Sequence, residues 1–166
     1  MLDTVTRYLA GIASGSERNA LRQTLAPIAD RMSSQATSTA GLVISVTTTT
    51  SKIGAVAFAG VAGGVPVAIA AGTDMTALTA ANNISAGKFG IVCYFIDNAS
   101  VVTAVSGNEG ATLALATFPQ FPAGKALVGY LVITYASAFI GGTTVLSTAT
   151  TVYVSPVGSF DPTILN

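Results

Sequence analysis

Catalysis in a chain of this kind would rest on few side chains, and the supply is short. Histidine is absent from the 166 residues, which removes the commonest general base and the commonest metal ligand together. A Ser-His-Asp or Cys-His nucleophile arrangement and zinc ligation by Cys and His are therefore closed to a single chain. Beyond position 31 the carboxylates stand singly, at Asp74, Asp97, Glu109 and Asp161. Paired-carboxylate hydrolysis needs two acids held about 5–10 Å apart, and nothing in this spacing brings two together. Asp97, followed by Asn98 between two apolar runs, reads as a turn residue.

Other motifs give the same answer. Cys93 is the only cysteine and lies inside Ile91-Val92-Cys93-Tyr94-Phe95-Ile96, where a free thiol behaves as a small buried hydrophobe. Gly60-Val61-Ala62-Gly63-Gly64 lacks the Lys-Ser/Thr that completes a phosphate-binding loop. Gly141-Gly142 lies between strand-like segments and reads as a turn. Tryptophan is absent, so stacking platforms for sugars are poorly supplied. The expectation is no enzyme, no metal and no cofactor.

Charge is uneven. Asp3, Arg7, Glu17, Arg18, Arg22, Asp30 and Arg31 crowd the start; after them come only Lys52, Asp74, Lys88, Asp97, Glu109, Lys125 and Asp161. Charged residues make up 8% of the chain, apolar ones 51%, and the formal net charge is +0. A soluble monomer ordinarily keeps more charge and a net charge away from zero, so self-association or incorporation into an assembly is expected. Without a basic stripe, nucleic acid is not expected as a partner. Residues 53–73 and 126–160 are uncharged and long, yet Gly, Pro and Thr interrupt them and no Leu-rich centre appears. They read as pairs of short buried strands, not membrane spans. Asp3 and Arg7 break any apolar core that a signal peptide would need.

The elements follow from periodicity. Leu2, Val5, Leu9 and Ile12 make one helical seam, and Leu21, Leu25, Ile28 and Met32 a second. Residues 14–17 read as a break, with Ser14 or Ser16 able to cap the second helix, and Pro27 should kink it or mark a start. So narrow a seam fits either a bundle of identical helices or packing on the chain's own body. Residues 42–50, 53–61 and 65–71 are strand-like, and residues 74–83 a short helix or loop. Residues 88–96 and 100–105 form a hairpin around Asp97-Asn98. Residues 111–117 suit a helical turn or two, and Pro119 and Pro122 impose extended backbone. Residues 125–135 and 143–154 complete the strands. The fold class is mainly β, a β-sandwich or barrel-like body with an N-terminal helical arm. The expected divisions are arm 1–35, linker 36–41, β domain 42–158 and tail 159–166.

Two stretches, FPQFPAGKALVGYLVIT and FIGGTTVLSTATTVYVSPVG, carry a family resemblance. The proline-rich approach (Pro119, Pro122), the Gly129-Tyr130 strand and the Phe139-to-Thr144 turn resemble a domain of tailed-bacteriophage virion proteins, of head-decoration, cement or head-fibre type. The hairpin and residues 106–110 extend the likeness over residues 88–158. The resemblance implies a non-enzymatic virion protein on the capsid exterior, made in the host cytoplasm. It also implies a homo-oligomer, commonly a trimer, with the major capsid protein as partner. On this reading Arg7, Arg18, Arg22 and Arg31 dock the arm on acidic capsid loops. Leu2, Val5, Leu9, Ile12, Tyr94, Leu127, Tyr130, Ile133 and Val152 serve the oligomer or its core. The alternative is a tail fibre or spike component that binds a host receptor.

Overall fold

In the computed structural model, which describes residues 15–160, one helix precedes nine strands. Helix α1 spans Gly15–Ser33. The strands are β1 (Gln35–Ala36), β2 (Val43–Ile44), β3 (Ser51–Lys52), β4 (Phe58–Ala62), β5 (Val65–Ile69), β6 (Phe89–Ile96), β7 (Val102–Ser106), β8 (Ala126–Thr134) and β9 (Thr150–Val154). Short 3-10 turns lie at Ala80–Asn82 and Leu113–Leu115. The body is mainly β, as expected, and every strand pairing is antiparallel.

The strands form a three-stranded sheet β1-β4-β5, a two-stranded sheet β2-β3 and a four-stranded sheet β7-β6-β8-β9. Strand β6 is the axis of the body. Its Val92, Tyr94 and Ile96 point inward with Val128, Leu131 and Ile133 of β8, and pack on Phe58, Ala62, Val67 and Ile69 of the three-stranded sheet. Ile91, Cys93 and Phe95 point the other way and meet Phe121 and Leu127. A strand buried on both faces needs an unbroken apolar run instead of an alternating one, which is what GIVCYFI supplies. In β8 the register slips beside Tyr94 and Phe95: Tyr94 faces Gly129, whereas Phe95 faces Leu127. This bulge turns Leu127 outward while Val128 stays inside.

Several expected elements are shorter. Residues 42–50 keep only Val43–Ile44 as strand, because Thr48 adopts φ 64 and its N–H donates to Ser45 O at 3.0 Å, closing a turn. The strand expected over residues 143–154 begins at Thr150. Thr143 and Thr144 N–H both donate to Ile140 O, and the Thr144 hydroxyl accepts from Ile140 N at 2.9 Å. Threonine hydroxyls that bond nearby backbone compete with a ladder, so this stretch turns before it extends. The hairpin through Gly63-Gly64 and the hairpin β6-β7 lie where the sequence places them. Asp97 anchors the second, accepting from Ala99 N at 3.0 Å and Val101 N at 2.9 Å. No helix among the described residues is long and apolar enough to cross a membrane.

Helix α1 runs without interruption from Gly15 through Pro27. Ser16 therefore lies inside its first turn, and Ser14 lies outside the described residues. Pro27 neither ends the helix nor starts it, but it has no N–H for the i−4 bond, at a cost of about 3 kcal/mol in a helix interior.

Candidate functional site

Among the described residues, the hydrogen bonds that tie the helix to the body lie near its C-terminus. Every residue from Arg22 to Ala29 is exposed, and burial begins at Asp30 and Arg31. Arg31 is 5% exposed. Its Nη1 donates to Lys125 O at 3.1 Å and its Nη2 to Pro122 O at 3.0 Å. Nη2 also pairs with the Asp30 carboxylate. The other Asp30 oxygen accepts from Gly124 N at 2.8 Å. Arg and its neighbouring acid thus grip both sides of one turn, residues 122–125, with the charge-assisted bonds that a guanidinium fork makes well.

A second turn closes the joint. Gly64 N donates to Ser33 O at 2.8 Å, which satisfies a carbonyl left free at the helix end. Gly63 N donates to the Ser34 hydroxyl at 3.0 Å. Gly63, Gly64 and Gly124 hold φ of 56°, 81° and 70°, the left-handed region that glycine enters without a Cβ penalty. Under the joint, Phe121 meets Phe95 edge to face at 4.8 Å.

Above the joint the second apolar seam is uncovered. Leu25, Ile28 and Met32 remain 45%, 43% and 70% exposed, with Leu21 half-buried. Among the described residues, none of these three side chains is buried against the body. Beside the seam runs a groove of about 920 Å³ between the helix and residues 120–123, with Pro27, Ile28, Phe121 and Pro122 among its walls.

The expected site residues fall into four groups. Arg7, Leu2, Val5, Leu9 and Ile12 lie outside the described residues. Arg22 is exposed and Arg18 half-exposed on α1. Arg31, expected to dock on a partner, has its fork engaged inside the chain, on Pro122 O, Lys125 O and the Asp30 carboxylate. Tyr94, Leu127 and Ile133 are buried within the chain itself, in its own core. Tyr130 is half-buried beneath Phe118 and Phe160, with ring centroids at 5.0 and 6.0 Å. Val152 is 53% exposed.

The acids of the body each have a local task. Asp74 accepts from the Ser45 hydroxyl at 2.5 Å, Asp97 holds its hairpin, and Glu109 takes Lys88 Nζ at 2.8 Å and Ser85 N at 2.7 Å. These partners, the Lys88 hydrogen bond foremost, hold the Glu109 carboxyl down to about 2. No group of three or more His, Cys, Asp or Glu among the described residues could hold a metal ion. Sequence reasoning missed the joint. A basic residue in the last helical turn is favourable for the helix dipole, but nothing in the spacing links Arg31 to a turn 91 residues away. Compared with family models, with curated proteins and with solved structures, the chain matches none.

Proposed function

We propose that this chain is a non-enzymatic structural protein of a phage virion, which self-associates through α1 as a homotrimer and decorates or stabilises the capsid. The supporting observation is the exposed seam of Leu25, Ile28 and Met32 on a helix that stands clear of its own body. Helices in proteins draw most of their stability from packing an apolar face, which this one leaves exposed, and Pro27 costs it about 3 kcal/mol. Closing a seam over these half-exposed side chains recovers roughly 2–4 kcal/mol per chain, taking half the full burial of three large apolar side chains. The two magnitudes match, so neighbouring helices are what the arm needs in order to persist. The heptad-like spacing supplies the geometry.

Arg18 and Arg22 are the described cations left on the arm for an acidic capsid surface. The low charge of the body suits burial against other subunits. Two measurements test the reading. In the full chain, Leu25→Ser with Ile28→Ser should abolish the oligomer, seen by sedimentation, and leave the β signal in circular dichroism unchanged. In labelled virions the protein should appear over the whole head. An unchanged oligomer would overturn the seam assignment, and copies confined to the tail would replace decoration by receptor binding.

A further inference from the structure

The two edges of the four-stranded sheet are finished differently. At β7, the Thr76 hydroxyl donates to Val102 O, and Asn82 Nδ2 donates to the Ser106 hydroxyl at 2.8 Å. At β9 the one such bond among the described residues leaves the backbone edge alone: the Thr151 hydroxyl donates to Leu146 O at 3.1 Å. Among the described residues, no backbone hydrogen bond joins β9 to anything but β8. Just past the strand, Ser155 is fastened: its hydroxyl accepts from Leu42 N at 3.0 Å and its carbonyl from the Thr39 hydroxyl at 3.3 Å. The strand is thus held in place while its outer edge stays open.

Natural proteins blunt such edges with charge, proline, a bulge or brevity. β9 has five residues, TTVYV, all β-branched or aromatic. No charged residue occurs between Lys125 and Asp161. Val152 on the strand and Val157 beyond it are 53% and 57% exposed. An uncharged, strongly β-forming open edge is a template for strand addition.

We infer that β9 pairs antiparallel with β9 of a second copy, about a two-fold axis through Val152, joining two four-stranded sheets into one. In this register Val152 faces its own counterpart, Thr151 faces Tyr153 and Thr150 faces Val154. Every cross-strand pair is then β-branched on β-branched or on aromatic, and no like charges meet. The self-complementarity of this register selects a second copy as occupant: read antiparallel about Val152, TTVYV opposes itself with β-branched and aromatic pairs throughout. The inference goes beyond the virion reading and does not need the helix seam. Seam and edge lie on different elements, so one chain serves both, and β9 links one α1-centred oligomer to the next.

The test uses the full chain with a single cysteine placed at Val152→Cys or, as control, at the exposed Thr148→Cys; the native Cys93 is 0% exposed and stays silent. Directly opposed residues of an antiparallel pair lie about 4.5–5.5 Å apart at Cα, within disulfide reach. Under mild oxidation V152C should form covalent dimers at least about tenfold faster than T148C. Separately, Val152→Lys should lower the largest mass seen at sedimentation equilibrium by half or more and leave circular dichroism unchanged. Cross-linking no faster at 152 than at 148, or a wild-type mass for V152K, would overturn the inference. The seam variant should still cross-link through V152C, so failure of the edge and failure of the seam are told apart.

Discussion

The Arg31 guanidinium carbon lies 6.0 Å from the centroid of the Phe121 ring, while the guanidinium nitrogens reach Pro122 O and Lys125 O on the same turn. One side chain thus joins the arm to the body by ring contact and by hydrogen bonds together. Replacing it by Ala leaves those carbonyls and the Asp30 carboxylate short of a buried partner. We expect Arg31→Ala to cost about 2–4 kcal/mol in urea unfolding of the full chain. Arg31→Lys should restore less than half, because an ammonium cannot span both carbonyls as a planar fork does.

Tyr94 should behave unlike other core residues. Its hydroxyl and that of Ser51 are buried beside each other without a well-formed hydrogen bond, and burial pushes the phenol up to about 12, partly offset by the weak Ser51 contact. Tyr94→Phe removes an unsatisfied group and should change stability by no more than about 1 kcal/mol in either direction.

The same group sets an alkaline dependence. The unfolded chain ionises this phenol near 10 and the folded chain near 12, so its contribution is complete below 10. It falls as pH rises, by about 1.4 kcal/mol per unit. Unfolding followed from pH 9 to 12 should show this slope in the wild type and a shallower one in Tyr94→Phe. Tyr130 and Tyr153, also raised by desolvation, supply what remains.

Glycine replacement separates space from backbone. A Cβ on Gly107 would lie 1.7 Å from Thr117 O, a backbone atom with no room to retreat. Gly107→Ala should cost at least about 2–3 kcal/mol. Gly87 faces open space at φ 70, so Gly87→Ala carries only left-handed strain, about 1–2 kcal/mol. Thermal melts of the two variants check the order.

Glu109 gives an acid-side readout. Its carboxyl, held down to about 2, contributes stability above the ordinary carboxylate range that is lost as pH falls through the folded value. Side-chain carboxyl NMR should show Lys88→Met raising the midpoint toward the ordinary value. It should stop short of it, since the Ser85 N–H remains.

Much of the β body was legible because its signals are local. The run from Ile91 to Ile96, the Asp97 turn and the Gly63-Gly64 hairpin each state their conformation within a few residues. Residues 143–149 misled because threonine serves strands and hydroxyl-bonded turns alike, and only the Ile140 carbonyl and Gly142, at φ 76, decide between them. The described part of the arm, Gly15–Ser33, was legible as a helix from the spacing of Leu21, Leu25, Ile28 and Met32. Arg31 was not legible, since an arginine on a polar arm looks like its exposed neighbours until a turn far along the chain folds beneath it.

The joint at the helix end also acts as a lever's pivot. A helix of 19 residues is about 28 Å long at 1.5 Å per residue. A tilt of about 10° at Asp30 and Arg31 therefore swings Gly15, about 23 Å along the helix, by roughly 4 Å. In the assembly proposed above, angular tolerance at two residues becomes positional tolerance at the helix's far end. Variants that loosen the grip on Gly124 should then blur the spacing of an assembly long before they unfold a subunit.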